Sequence, residues 1–167
     1  MIETERLILR PWSVGDAPAL YKYASDNLVS ELALWPRHTS VEMSCEVIEK
    51  VFMPNSHCFA IVLKESGEPI GCIGLVPVGD EHHETACYER EVGYWIGFPY
   101  WNMGLTTEAL MALIVYCRDN LNLSSLLITT DDCNSASKRV GEKCGFQLAD
   151  RSYYYDGVKS CAYRLKL

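Results

Sequence analysis

Apolar and polar positions alternate over 5–10 (ERLILR), the period of a half-buried strand. In SVGDAPALYKYAS, Pro18 fits the first turn of a helix, so the spacing predicts a helix from Ala17 capped by Asp16. A capping box between Ser13 and Asp16 is the lesser alternative. A short helical segment precedes Trp35-Pro36, where the proline breaks it. Val41, Cys45, Ile48 and Phe52 recur at helical intervals behind Thr39 and Glu42, which have capping-box spacing, and predict a helix over 40–53. The period then changes. Residues 58–64 and 69–78 read as antiparallel strands, 79–86 (GDEHHETA) as a polar loop and 88–98 as a third long strand. A helix over 105–119 follows, with Leu110, Leu113, Ile114 and Cys117 on one face, then a strand at 123–130 and a helix at 135–144. Strands 146–155 and 158–166 join at Asp156-Gly157, a hairpin signal. The order βααβββαβαββ alternates strand with helix only in its second half. It predicts an α/β chain with a mixed sheet, a C-terminal β-hairpin and one domain over 1–167.

Composition narrows the function. The 167 residues are 49% hydrophobic and 22% charged, an ordinary globular balance. A net charge of -7 argues against a nucleic-acid partner held by a broad basic surface, and it suits cationic acceptors such as amines. No apolar run approaches membrane-span length, and MIETERLILRPW has no signal-peptide character, so a cytoplasmic protein with no membrane partner is expected. None of the eight cysteines forms a CxxC pair; reduced thiols serving as small core hydrophobes are expected.

Two segments carry chemistry. In 91–110 (EVGYWIGFPYWNMGLTTEAL) a strand runs through a glycine turn straight into a helix. Such a junction offers unbonded N–H groups and the positive end of a helix dipole to a phosphate or pyrophosphate. Gly104 permits close backbone approach, and Thr106 and Thr107 add hydroxyls. Neither the P-loop lysine nor GxGxxG is present. In 134–146 (NSASKRVGEKCGF), Asn134 caps a helix, Ser137 falls in its first turn and Gly145 ends it. Each segment alone is ordinary structural punctuation.

Together, in this order and spacing, they resemble the GNAT superfamily of acetyl-CoA-dependent N-acetyltransferases. The branch they look most like is the ribosomal-protein alanine or serine N-terminal acetyltransferases. TERLILRPWSVGDAPAL resembles that branch's opening, GYWIGFPYWNMGLTTEAL its acetyl-CoA motif, and Asn134, Ser137, Lys143, Gly145 and Phe146 its downstream pattern. The resemblance covers nearly the whole chain. It implies a strongly twisted mixed sheet whose central parallel strands, here 88–98 and 123–130, splay apart around acetyl-CoA. It implies that Trp95, Ile96 and Gly97 offer backbone groups to the pantetheine. The amides of Asn102, Met103, Gly104, Leu105, Thr106 and Thr107 would hold the pyrophosphate, and Asn134 would contact the cofactor arm or nearby backbone. Trp101 and Thr106 depart from the superfamily's Q/R-x-x-G-x-G/A. Met103 replaces the branch's usual basic residue, leaving the turn without a fixed positive charge of its own.

The implied reaction is direct acetyl transfer from the thioester to a primary amine, without a covalent enzyme intermediate and without a metal. Glu91, just before GYWI, is the candidate general base, acting through a water. Glu89 shares its strand face and Arg90 lies opposite, so a salt-bridged or solvated acid is the plainer alternative for either glutamate. The backbone N–H near Ile96 is the candidate oxyanion donor. The tyrosine that many superfamily members use to protonate the thiolate falls at Gly141, so Ser137 is the candidate acid or thiol contact, against a plain capping role. His82 and His83 adjoin Asp80, Glu81 and Glu84. These residue types bind metals or substrates, but a solvated loop is the plainer reading. Trp35, Tyr94, Trp101 and Tyr153 through Tyr155 would line an acceptor cleft or simply pack. A peptide or protein N-terminus is the expected acceptor, in a monomer or homodimer. A small amine (amino acid, polyamine or antibiotic) and a non-catalytic acyl-CoA sensor are the alternatives.

Overall fold

The computed structural model describes residues 1–33 and 35–167. Contacts divide the chain into two compact units, Met1–Gly74 with Tyr94–Ala109, and Leu75–Gly93 with Leu110–Leu167.

The first unit holds β1 (Ile2–Glu3), β2 (Leu7–Pro11), β3 (Cys58–Leu63) and most of β4 (Pro69–Leu75), each antiparallel to the next. The alternation read at 5–10 is real, since Leu7 and Leu9 are fully buried while Ile8 and Arg10 are not. A two-residue β1 is too short for periodicity to reveal. Three helices follow β2: α1 (Ala17–Ala24), α2 (Asn27–Ala33) and α3 (Val41–Val47), the last continuing as a π-helical turn over Ile48–Phe52. Trp12, Leu20, Ile48, Ala60 and Val62 make the core here.

Asp16 holds the N-cap position of α1 as predicted, but its side chain serves elsewhere, and the predicted cap of α3 is corrected. Asp16 does not cap α1 with its side chain. Its carboxylate accepts from the Ser13 N–H (2.9 Å) and hydroxyl (3.1 Å) and takes the Arg10 guanidinium at 2.7 Å through both oxygens. The capping box ahead of α1 wins because Arg10, on the polar face of β2, supplies a charge that helix spacing cannot reveal. The cap of α3 is Ser40, which accepts from the Met43 N–H at 3.1 Å, while Thr39 faces the Met43 sulfur at 3.7 Å.

The second unit contains the start of β5 (Glu89–Ile96), then β6 (Ser125–Asp131), β8 (Val158–Lys166) and β7 (Gln147–Tyr155), with most of α4 (Leu105–Leu121) and α5 (Ser135–Lys143). Leu110, Leu113 and Cys117 are fully buried on α4, as its periodicity requires; Ile114 is half-buried. The β7–β8 turn places Asp156 (φ 48°) and Gly157 (φ 78°) in the left-handed region, as a tight hairpin demands. The strands form an eight-stranded mixed sheet in the order β1-β2-β3-β4-β5-β6-β8-β7. Its parallel pair, β5 with β6, has the register Glu89↔Ser125, Arg90↔Leu126 and Glu91↔Leu127. Among the described residues that ladder stops at Glu91, whereas β6 stays paired with β8 as far as Asp131↔Ser160.

Among the described residues no helix is long and apolar enough to cross a membrane. Cys72, Cys117 and Cys161 are buried, as small core hydrophobes should be, but Cys87 and Cys133 are exposed. Polar loop and turn positions account for those two.

Candidate acetyl-transfer site

Backbone direction along β5 follows from its bonds to the neighbouring strand. Val76 N–H donates to the Glu91 carbonyl at 2.9 Å, and Gly97 N–H donates to the Ile70 carbonyl at 2.8 Å. The Trp95 carbonyl lies against Gly71, where a Cβ would come within 2.4 Å of it. Odd-numbered residues therefore turn their backbone groups to β4, and even-numbered ones turn away. Of Trp95, Ile96 and Gly97, it is Ile96 whose N–H points away from β4. The Ile96 carbonyl accepts the Trp101 indole N–H at 2.9 Å, tying the strand's end to the turn that follows.

That turn reaches α4 through Asn102 (φ 61°) and Gly104 (φ 77°). The first helical bond is Glu108 N–H to the Gly104 carbonyl (3.0 Å), so the amides of Leu105 and Thr106 precede any helical acceptor. A charge absent from the turn's own sequence arrives from Arg6, the residue just before β2. Arg6 donates through Nη1 to the Met103 carbonyl (3.0 Å) and through Nε to Glu108 (2.7 Å). A Cβ on Gly104 would sit 3.7 Å from Arg6 Nη2. The turn has no positive charge of its own, and tertiary structure brings one to it. Burial opposes ionisation of Glu108, but the Thr4 hydroxyl and the Arg6 N–H and guanidinium outweigh it and hold its pKa below the ordinary value.

In the second unit the two glutamates of β5 part company. Both are buried. Glu89 is structural: it accepts from the Ala86 N–H (3.0 Å) and the Ser125 hydroxyl (2.9 Å) and pairs with Arg164 at 3.1 Å. Burial pushes its pKa up, and those donors more than reverse the push. Glu91, only 2% exposed, has no lysine or arginine partner among the described residues. Its Oε2 accepts from the His82 N–H (2.7 Å), and its Oε1 accepts from His82 Nδ1 (2.7 Å) and the Thr129 hydroxyl (2.5 Å). His82 is a loop residue with a part-exposed ring, as the plainer reading has it, but its backbone and its ring are both anchored to Glu91. Sequence had flagged His82 only as one of a cluster, and no spacing rule links it to a strand position nine residues on. His83 lies edge-on to Tyr153 (4.7 Å between ring centres) and His82 edge-on to Tyr155 (4.6 Å). Among the described residues, no group of three or more acidic, histidine or cysteine side chains is arranged to hold a metal.

Asn134 caps α5, its side chain accepting from the Ser137 N–H at 3.0 Å. Gly141 is buried, and a Cβ there would lie 3.6 Å from Ile128 and 3.7 Å from Phe146. Trp35 packs edge-on against Trp95 with ring centres 5.6 Å apart. Tyr154 is exposed.

A sequence model of the acetyltransferase (GNAT) domain matches residues 6–147. The chain belongs to the GNAT acetyltransferase family. It is an N-acetyltransferase, and its family uses acetyl-CoA. An uncharacterized N-acetyltransferase, p20 of Bacillus licheniformis, is 29% identical over 160 residues, covering 93% of this chain and 87% of p20. A Vibrio cholerae structure provisionally described as a ribosomal-protein-serine acetyltransferase superposes with TM-score 0.78 at 26% identity, covering 99% of this chain and 97% of that one. The aminoglycoside acetyltransferase AAC(6')-Ib, solved with coenzyme A, shares the fold: TM-score 0.76 at 17% identity, covering 96% and 94% of the two chains.

Proposed function

We propose that this GNAT acetyltransferase moves the acetyl group of acetyl-CoA to the amine of a peptide or protein N-terminus, by direct attack and in the cytoplasm. The observation that carries the reading is the parallel ladder that stops at Glu91 on a strand whose Ile96 N–H is turned away from β4. An acyl carrier laid along such an edge finds a donor for its thioester oxygen and a carboxylate at the branching point. The likeness to the Vibrio cholerae protein, described as acting on serine of a ribosomal protein, supports a protein acceptor.

In this reading the N–H of Ile96 stabilises the oxyanion, with the Gly97 bond to Ile70 and the Trp95 carbonyl against Gly71 keeping it turned outward. The amides of Asn102, Met103, Gly104, Leu105, Thr106 and Thr107 hold the pyrophosphate, and Arg6 supplies the positive charge that Met103 lacks. Asn134 positions the helix whose Ser137 meets the pantetheine end and protonates the departing thiolate. Glu91 is the carboxylate on which amine deprotonation depends. Its three donors and near-complete burial mean that it works through an intervening group.

The test is release of free thiol from acetyl-CoA against peptides differing in their first residue and against small amines, ribostamycin included. Rapid turnover of serine- or alanine-leading peptides is expected. Turnover of ribostamycin alone would overturn the acceptor assignment, and no heat on mixing with coenzyme A would overturn the cofactor site.

A further inference from the structure

The proposed carboxylate is not placed to touch an amine. Glu91 is 2% exposed and its oxygens already accept three hydrogen bonds. The ring of His82, by contrast, is 40% exposed. Its Nδ1–H is spent on Glu91, which fixes the tautomer and leaves Nε2 as the lone-pair nitrogen. No hydrogen bond to Nε2 occurs among the described residues. The Tyr155 ring holds the imidazole edge-on and the His82 N–H, also bound to Glu91, fixes the backbone beneath it.

Resting on the acetyl-transfer reading above, we infer that His82 Nε2 is the group that takes the proton from the acceptor ammonium, with Glu91 as its positioning carboxylate. The histidine gains the ammonium proton, and the amine nitrogen gains its lone pair. That nitrogen bonds to the thioester carbonyl carbon; the C–S bond breaks with its electron pair on sulfur. The Ser137 hydroxyl gives its proton to the thiolate and takes the second N–H proton as the amide forms, and the imidazolium returns its proton to solvent. An N-terminal amine has a pKa of about 8, close enough to imidazole for efficient transfer.

The groups facing the ring agree with this. Glu91 of β5, bonded to it, favours the imidazolium most; burial opposes, and Asp80 of its own loop adds a smaller pull, so the pKa is raised from the ordinary value. Tyr155 of β7 presents only its ring, and His83 beside it pairs with Asp150 at 3.4 Å.

The test uses the full chain with acetyl-CoA and two probes, a serine-leading peptide and ribostamycin. His82→Gln should lower kcat by on the order of 100-fold and leave acetyl-CoA affinity, measured by calorimetry, unchanged. The acid limb of kcat/KM, set in the parent by a histidine titrating above about 6.5, should move to the amine's own pKa. Added imidazole should restore part of the rate of His82→Ala. Parent-like kcat and acid limb in His82→Gln, with Glu91→Gln inactive, would overturn the inference and leave the acetyl-transfer reading intact. If neither probe is turned over by the parent, the acceptor reading fails, and the imidazole NMR titration decides for His82. Its pKa should fall in Glu91→Gln; an unchanged value overturns the pairing.

Discussion

The Thr129 hydroxyl of β6 and the His82 imidazole donate to the same oxygen of Glu91, at 2.5 and 2.7 Å. One oxygen of a buried carboxylate thus binds a strand and a loop at the last rung of the parallel ladder. Thr129→Val removes one donor of three. It should cost about 1 kcal/mol of stability, read from urea denaturation. The remaining negative charge on Glu91 should draw the His82 proton more tightly, moving the acid limb of the rate profile to higher pH.

Arg6→Ala should weaken coenzyme A binding and Glu108→Gln should not. Arg6 is partly exposed, so solvent screening limits its worth to about 1 kcal/mol, roughly a fivefold change in Kd by calorimetry. The effect should shrink as salt is added, because an exposed charge is screened. Equal loss in both variants would show that the pair only braces the turn.

Gly97→Ala should destabilise the first unit. The added Cβ would lie 2.5 Å from the Tyr23 ring, whose hydroxyl is held by Tyr100 (3.1 Å) and Glu68 (3.0 Å) and cannot retreat freely. Overpacking of this kind costs about 1–3 kcal/mol, visible as a lowered Tm. Gly104→Ala is different: it meets no atom closer than 3.7 Å, but its φ of 77° costs an L-residue about 1 kcal/mol.

Acid should unfold the protein through Asp16, Glu89 and Glu108. All three have pKa values lowered in the fold. Their contribution is present above the unfolded carboxylate values near 4 and is lost as pH falls through the lower folded values. His82 has the opposite sign. Its raised pKa adds stability that is full below about 6.5 and vanishes as pH rises through the folded value. The Tm gap between the parent and His82→Gln should therefore close with rising pH across that range, while the gap for Glu89→Gln should close with falling pH.

Periodicity by itself determined the long elements. Leu7 and Leu9 alternate in β2, Leu110, Leu113 and Cys117 mark one side of α4, and Asp156-Gly157 turns the final hairpin; each signal is local to its own segment. The ordered motifs of 91–110 and 134–146 were enough to indicate the family and the turn before α4. Partners distant in the chain were decided only by tertiary structure. Arg6 reaches Met103 and Glu108, Arg164 claims Glu89, and Thr129 and His82 converge on Glu91. Spacing on β5 treats Glu89 and Glu91 as equivalent, since both project from one face. What separates them is which donors the surrounding strands and loop bring to each carboxylate, and a hydrogen bond depends on distances that folding sets.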